Sequence, residues 1–155
     1  MKKLIAYFSP SGNTKAMAEK LAKATGADLF EIKPQTPYTR ADLDWTNNNS
    51  RSSIEMNDKS FRPQIAQLPN SLADYDTIFI GFPIWWYVAP TIINTFVENV
   101  DLDGKKVIPF ATSGGSGMGK TLANLKPSCP GANWVEGKVI NGMSEKALAD
   151  WAEKL

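Results

Sequence analysis

The run Leu4-Ile5-Ala6-Tyr7-Phe8 passes directly into Ser9-Pro10-Ser11-Gly12-Asn13-Thr14-Lys15 and then into the helix-like stretch Ala16 to Ala24, and this junction constrains the fold more than any other feature. A continuous apolar run of that length predicts a strand buried on both faces. Met17, Leu21 and Ala24 recur at the i, i+4, i+7 spacing of one helix face, and Gly26 supplies the stop. Asp28 to Ile32 predicts a second, weaker strand through Leu29, Phe30 and Ile32. Between the first strand and its helix, three hydroxyls and a glycine suit a phosphate cradle. A helix start offers unpaired N–H groups and the positive end of its dipole, and Gly12 lets the backbone come close. The same letters also suit a capped turn that binds nothing, since Ser, Gly, Asn and Thr favour turns and helix starts.

Further along, Lys33 to about Arg62 loses all periodicity, which predicts a functional flap or a partly disordered segment. It carries Tyr38, Arg40, Trp45, Arg51 and Arg62, and its aromatic residues can serve either to pin it to the body or to bind. Pro63 to Leu72 predicts a short helix broken at Pro69. Thr77 to Phe82 is the clearest strand, β-branched and aromatic, and leads into Pro83-Ile84-Trp85-Trp86-Tyr87-Val88-Ala89-Pro90. Pro90 suits the start of a helix over Thr91 to Val100, with Ile92, Ile93, Phe96, Val97 and Val100 as its apolar stripe. Lys106 to Thr112 predicts a fourth strand, although Pro109 has no local explanation there. A second glycine-rich loop, Ser113 to Thr121, opens a short helix to Leu125. Asn133 to Ile140 gives a fifth strand broken at Gly137, and Ser144 caps a last helix to Leu155.

Strands alternating with helices in this way predict an α/β fold: a doubly wound five-stranded parallel sheet with helices on both faces, in a single domain spanning 1–155. In the order 2-1-3-4-5, the ligand crevice lies between the loops that follow strands one and three. Those loops are Ser9–Lys15 and the tryptophan pair.

Composition narrows the chemistry. Seventeen basic against sixteen acidic residues give a net charge of +1, which predicts neither a nucleic-acid nor a membrane partner. The apolar stretches are short of a bilayer span and Met1-Lys2-Lys3 does not open a signal peptide, so a cytoplasmic protein is expected. The single cysteine, Cys129, precludes an internal disulfide and reads as a buried structural thiol. Histidine is absent, which removes Ser-His-Asp and Cys-His hydrolysis and the usual zinc sites, so reactivity is expected from something bound, with no metal site and no catalytic side chain assigned.

Two readings accommodate the glycine-rich loops. Gly114 to Thr121 fits the G-x-x-x-x-G-K-[ST] pattern of a nucleotide hydrolase, but neither the third nor the fifth strand ends in the Asp that should hold magnesium. The other reading uses three loops together. The first takes a phosphate, a flat ring system lies against Ile84, Trp85, Trp86 and Tyr87, and the N–H groups of Ser113, Gly114, Gly115 and Ser116 reach the ring's polar edge. An apolar stacking wall with a few polar contacts suits flavin mononucleotide (FMN). Two adjacent indoles at a strand end are hard to bury in one core, which favours ligand contact.

Tyr7 to Thr14, Gly81 to Tyr87 and Thr112 to Gly117 together resemble the flavodoxin family, in particular its short-chain, flavodoxin-like members, over essentially the whole chain. The resemblance implies non-covalent FMN and redox function. It implies phosphate contacts from Ser9, Ser11, Gly12, Asn13, Thr14 and Lys15, and ring contacts from Pro83, Ile84, Trp85, Trp86, Tyr87, Ser113, Gly114, Gly115 and Ser116. Electron carriers of this family are strongly acidic, and this chain is not. Such carriers also favour one-electron reduction by rotating a peptide in the flavin-facing loop, eased by a glycine that Pro83 to Tyr87 lacks. A non-glycine residue at positive φ costs roughly 1–2 kcal/mol, enough to erase a preference of about tenfold. The expectation is therefore two-electron chemistry: hydride from a nicotinamide nucleotide, passed to a quinone or other small acceptor, with Arg40, Trp45 and Arg51 as a lid. A carrier fed by a redox protein is the second reading, and the oligomeric state is left open.

Overall fold

The computed structural model describes residues 2–155. In chain order the elements are β1 (Lys2–Tyr7), α1 (Asn13–Thr25), β2 (Asp28–Glu31), α2 (Arg51–Met56), β3 (Tyr75–Pro83), α3 (Thr91–Asn99), β4 (Lys106–Thr112), α4 (Thr121–Leu125) with a 3-10 turn Lys126–Ser128, β5 (Asn133–Trp134), β6 (Lys138–Val139) and α5 (Glu145–Glu153). All strand pairs are parallel, in the order β2-β1-β3-β4-β5, with β6 also on β4. Strand alternation sorts the core into two layers. Leu4, Ala6, Ile78, Ile80, Phe82, Val107 and Ala111 pack beneath α3 and α4, against Ile92, Ile93, Phe96 and Leu125. Ile5, Tyr7, Phe79, Ile108 and Phe110 pack beneath α1 and α5, against Met17, Leu21 and Leu148. The sheet is thus covered on both faces, as a continuous apolar strand sequence demands.

The helix boundaries follow their local signals. Gly26 adopts a left-handed conformation and donates its N–H to Ala22 C=O, closing α1. The Ser144 hydroxyl accepts from Ala147 N–H and opens α5. Cys129 is buried, and its carbonyl accepts from the Trp134 indole N–H at 2.8 Å.

Pro109 acquires a reason only in the sheet. The expected fifth strand is two short pieces, β5 and β6, with Val135, Glu136 and Gly137 between them facing just Ile108 and Pro109 of β4. The Val107 and Ala111 carbonyls accept from Val135 and Ile140 N–H. Pro109 has the same parity, so its missing donor faces the break rather than an intact ladder. A Cβ on Gly137 would fall 1.5 Å from the Pro109 carbonyl oxygen, so the close passage requires glycine.

Two expectations in the β2–β3 connection are corrected. Residues 63–72 form no helix; Ile65 instead makes a short antiparallel bridge to Pro34. Of the two readings of 33–62, partial disorder is overturned: the stretch is folded, with α2 capped by Ser50. Its anchor is Glu55, only 3% exposed, whose carboxylate accepts from the Tyr38 hydroxyl and pairs with Arg51 at 3.0 Å.

Candidate functional site

Three loops leave the carboxyl ends of the adjacent strands β1, β3 and β4, on the side where winding reverses between β1 and β3. The first has Gly12 at φ 91° before α1, with no side-chain cap on the helix. Lys15 N–H donates to Ser9 Oγ at 2.9 Å and Ala16 N–H to Gly12 C=O, while Asn13 and Thr14 N–H have no partner among the described residues. Ser11, Gly12, Asn13 and Lys15 are exposed around these donors, which makes an anion-binding concavity. Thr14 differs from its neighbours. Its side chain is buried and its hydroxyl bonds to that of Thr112 at 2.7 Å, tying the first loop to the end of β4, so Thr14 offers the concavity its backbone.

The second loop is a tight hairpin turn. Trp85 N–H donates to Val88 C=O at 2.9 Å and Val88 N–H to Trp85 C=O at 3.2 Å, with Trp86 at φ 50° and Tyr87 at φ 67°. Positive φ at both central positions defines a type I′ turn, unusual for two large aromatic residues. Positive φ is therefore already present in this glycine-free loop, which corrects the expectation that it is kept out. What the turn lacks is freedom to rotate its central peptide. Rotation converts type I′ to type II′, whose first central position belongs to glycine. The two indoles divide the work. Trp85 turns inward, edge-on to Phe8 and Tyr38 at centroid distances of 5.8 and 5.7 Å, while Trp86 and Tyr87 remain 44% and 65% exposed.

In the third loop, Ser113 N–H donates to Asn141 Oδ1 at 2.8 Å, and Gly115 and Ser116 N–H both donate to Ser113 Oγ at 3.2 and 2.7 Å. This corrects the picture of four free donors: Gly114 alone keeps an N–H without a partner among the described residues. Asn141 also donates its amide to Ser113 C=O at 2.8 Å, clamping the loop from a position that sequence reasoning did not single out. Its only local signal was the turn dipeptide Asn141-Gly142. The hydrolase reading fails on geometry. The Thr121 hydroxyl is buried and donates to Met118 C=O, Lys120 N–H donates to Tyr87 C=O, and α4 is a helix of five residues.

The second and third loops enclose a cavity of about 460 Å³, lined by Ile84, Trp85, Trp86, Tyr87 and Ser113 to Ser116, and roofed by Leu43 and Trp45 from the long connection. Pro83 ends β3 beside it. Trp45 is 71% exposed, an aromatic face held over the aromatic wall. Arg51 and Arg40 are not among the lining residues. Arg51 is instead a clamp: it stacks 3.8 Å from the Tyr38 ring centroid, pairs with Glu55 and donates to Thr36 C=O at 2.7 Å. Burial, reinforced by the Glu55 carboxylate, pushes the Tyr38 phenol well above its ordinary value, so it stays a donor at neutral pH.

An anion concavity beside an aromatic cleft at the switch point of a doubly wound sheet is the site of a flavin nucleotide-binding protein, and the donor set fits FMN: unpaired N–H groups for the phosphate, planar apolar walls for the ring. The chain belongs to the flavodoxin family, whose profile matches residues 2–155. A protein from Bacteroides eggerthii assigned as a flavoprotein superposes with a TM-score of 0.95 at 52% identity, covering 99% of this chain and 96% of that one. A flavoprotein from Lactobacillus acidophilus, solved in complex with FMN, does so with a TM-score of 0.70 at 28% identity, covering 97% and 98%. YcaK of Escherichia coli, an uncharacterised NAD(P)H oxidoreductase, is 29% identical over 98 residues, 63% of this chain and 45% of that protein. The match thus spans less than half of that curated relative's length. FMN is the cofactor that family membership carries.

Proposed function

We propose that this protein is a cytoplasmic FMN oxidoreductase that takes hydride from a nicotinamide nucleotide and delivers it to a small acceptor of the quinone type. The observation that carries the reading is the type I′ turn at Trp86 and Tyr87. It presents an aromatic wall to the 460 Å³ cavity and resists the peptide rotation that one-electron carriers use. The bound flavin supplies the redox chemistry, and the chain's residues position and shield it. Asn13 and Thr14 N–H would hold the phosphate, Trp86 and Tyr87 would wall the ring with Trp85 braced against Phe8 and Tyr38, Gly114 N–H would meet the ring's polar edge, and Trp45 would limit access of water. The balanced charge argues against steering to a strongly basic protein partner, and the likeness to an NAD(P)H oxidoreductase favours the nicotinamide donor.

The test is a visible spectrum of FMN-loaded protein recorded during stepwise reduction, followed by NAD(P)H oxidation with and without added quinone. Bleaching without a large half-reduced population, and turnover that depends on quinone, are expected. A protein that stays colourless after soaking in FMN removes the reading. A large half-reduced population with no NAD(P)H oxidation restores the electron carrier.

A further inference from the structure

A cavity of about 800 Å³, larger than the flavin cavity, lies beside it and shares only Trp86 and Tyr87 with it. The reading above gives it no role. Met56 and Val88 continue the apolar surface that Trp86 begins, and α3, through Thr91, Asn94 and Glu98, and α4, through Ala123 and Asn124, both border it. Its size is that of a small-molecule site.

Its charges are unevenly matched. Arg62 is neutralised by Glu98 through two contacts, Nε to Oε1 at 2.8 Å and Nη2 to Oε2 at 3.1 Å. Lys59 and Lys120 line the same cavity, are exposed, and form no ion pair among the described residues. The cavity therefore carries two uncompensated positive charges. A second observation is independent of charge. Thr91, 6% exposed at the first position of α3, lines the cavity, and its Oγ1 is the only buried side-chain oxygen or nitrogen without a hydrogen-bond partner among the described residues. A buried hydroxyl without a partner is costly, and a ligand that bonds to it is one way of offsetting that cost. The neighbouring Asn94 amide, by contrast, donates to Asn124 C=O at 3.2 Å and Ser128 Oγ at 3.0 Å.

The wall is also fixed in advance. Lys120 N–H donates to Tyr87 C=O at 3.2 Å, and a Cβ on Gly119 would stand 2.3 Å from that carbonyl oxygen, so the loop before α4 is pressed against the aromatic turn. A ligand entering here meets a surface that needs little ordering.

We propose that this cavity is a second small-molecule site, taking a planar organic anion whose ring lies along Trp86 and Val88 and whose carboxylate faces Lys59 and Lys120. It goes beyond the flavin reading and does not depend on it.

The test is calorimetric titration with 2-naphthoate and with its neutral counterpart 2-naphthalenemethanol, on the protein as purified and after FMN loading. One saturable site per chain is expected, at least about tenfold tighter for the carboxylate, with FMN not displacing it. The double variant Lys59→Met and Lys120→Met loses that preference. Ala123→Phe, on the exposed side of α4 facing the cavity, abolishes binding, with an unchanged far-UV circular dichroism spectrum and Tm as the check on folding. No saturable heat, equal binding of the neutral analogue, displacement by FMN, or full binding by the lysine double variant overturns the proposal. Failure to take up FMN while naphthoate still binds removes the flavin reading and leaves this one standing.

Discussion

Gly81 lies between Tyr7 and Phe110 in the neighbouring strands, and a Cβ there would come within 2.2 Å of the Phe110 ring. The sequence showed a glycine in an otherwise β-branched and aromatic strand. The reason for it sits 29 residues away and is a ring that needs the space. Gly81→Ala should destabilise by about 1–3 kcal/mol through overpacking, read as a lower urea midpoint. Thr91→Val should do the opposite in the free protein. Removing a buried hydroxyl that bonds to nothing is expected to be neutral or to stabilise by about 1 kcal/mol, measured the same way. A clear loss of stability would mean that Thr91 Oγ1 has a partner.

At the scale of elements, the long β2–β3 connection was legible as unusual and illegible in its purpose. Its aromatic and charged residues suggested a lid, yet Tyr38, Arg51 and Glu55 form a closed set that fastens the segment to Phe8 and Trp85, and of the three lid residues expected only Trp45 lines the cleft, beside Leu43. Arg51→Ala leaves the Glu55 carboxylate buried without its cation. A loss of about 3 kcal/mol is expected, the low end for breaking a buried pair because Arg51 is itself partly exposed, together with faster proteolysis within 34–62. The contact between Arg62 and Glu98 joins the end of the same connection to α3. Hydrogen bonds from Arg62 hold the Glu98 carboxyl below its ordinary value. A depressed carboxylate contributes stability that is fully present above its unfolded pKa and is lost as pH falls through the folded one. Glu98→Gln should therefore lower stability at pH 7 and flatten the acid limb of a stability–pH profile, by a small amount because the pair is surface-exposed.

Across the whole molecule, three loops distant in sequence meet because β1, β3 and β4 are adjacent in the sheet. FMN bound to the native state alone should raise stability by about 2.7 kcal/mol at a free concentration one hundred times its Kd, seen as a concentration-dependent Tm. A Tm indifferent to FMN would contradict the assignment of the cleft. The strand and helix alternation, the capping of α5 by Ser144, the close of α1 at Gly26 and the break of the fifth strand at Gly137 were set by the sequence alone, since periodicity and caps are local properties of neighbouring residues. Tertiary structure decided which donors stay free and which side chains turn inward. Ser113 finds Asn141, Thr14 finds Thr112, and Trp85 finds Phe8 and Tyr38, all partners far along the chain. The physical reason is that a polar group takes whatever partner the fold brings within about 3 Å, and no local pattern records that choice.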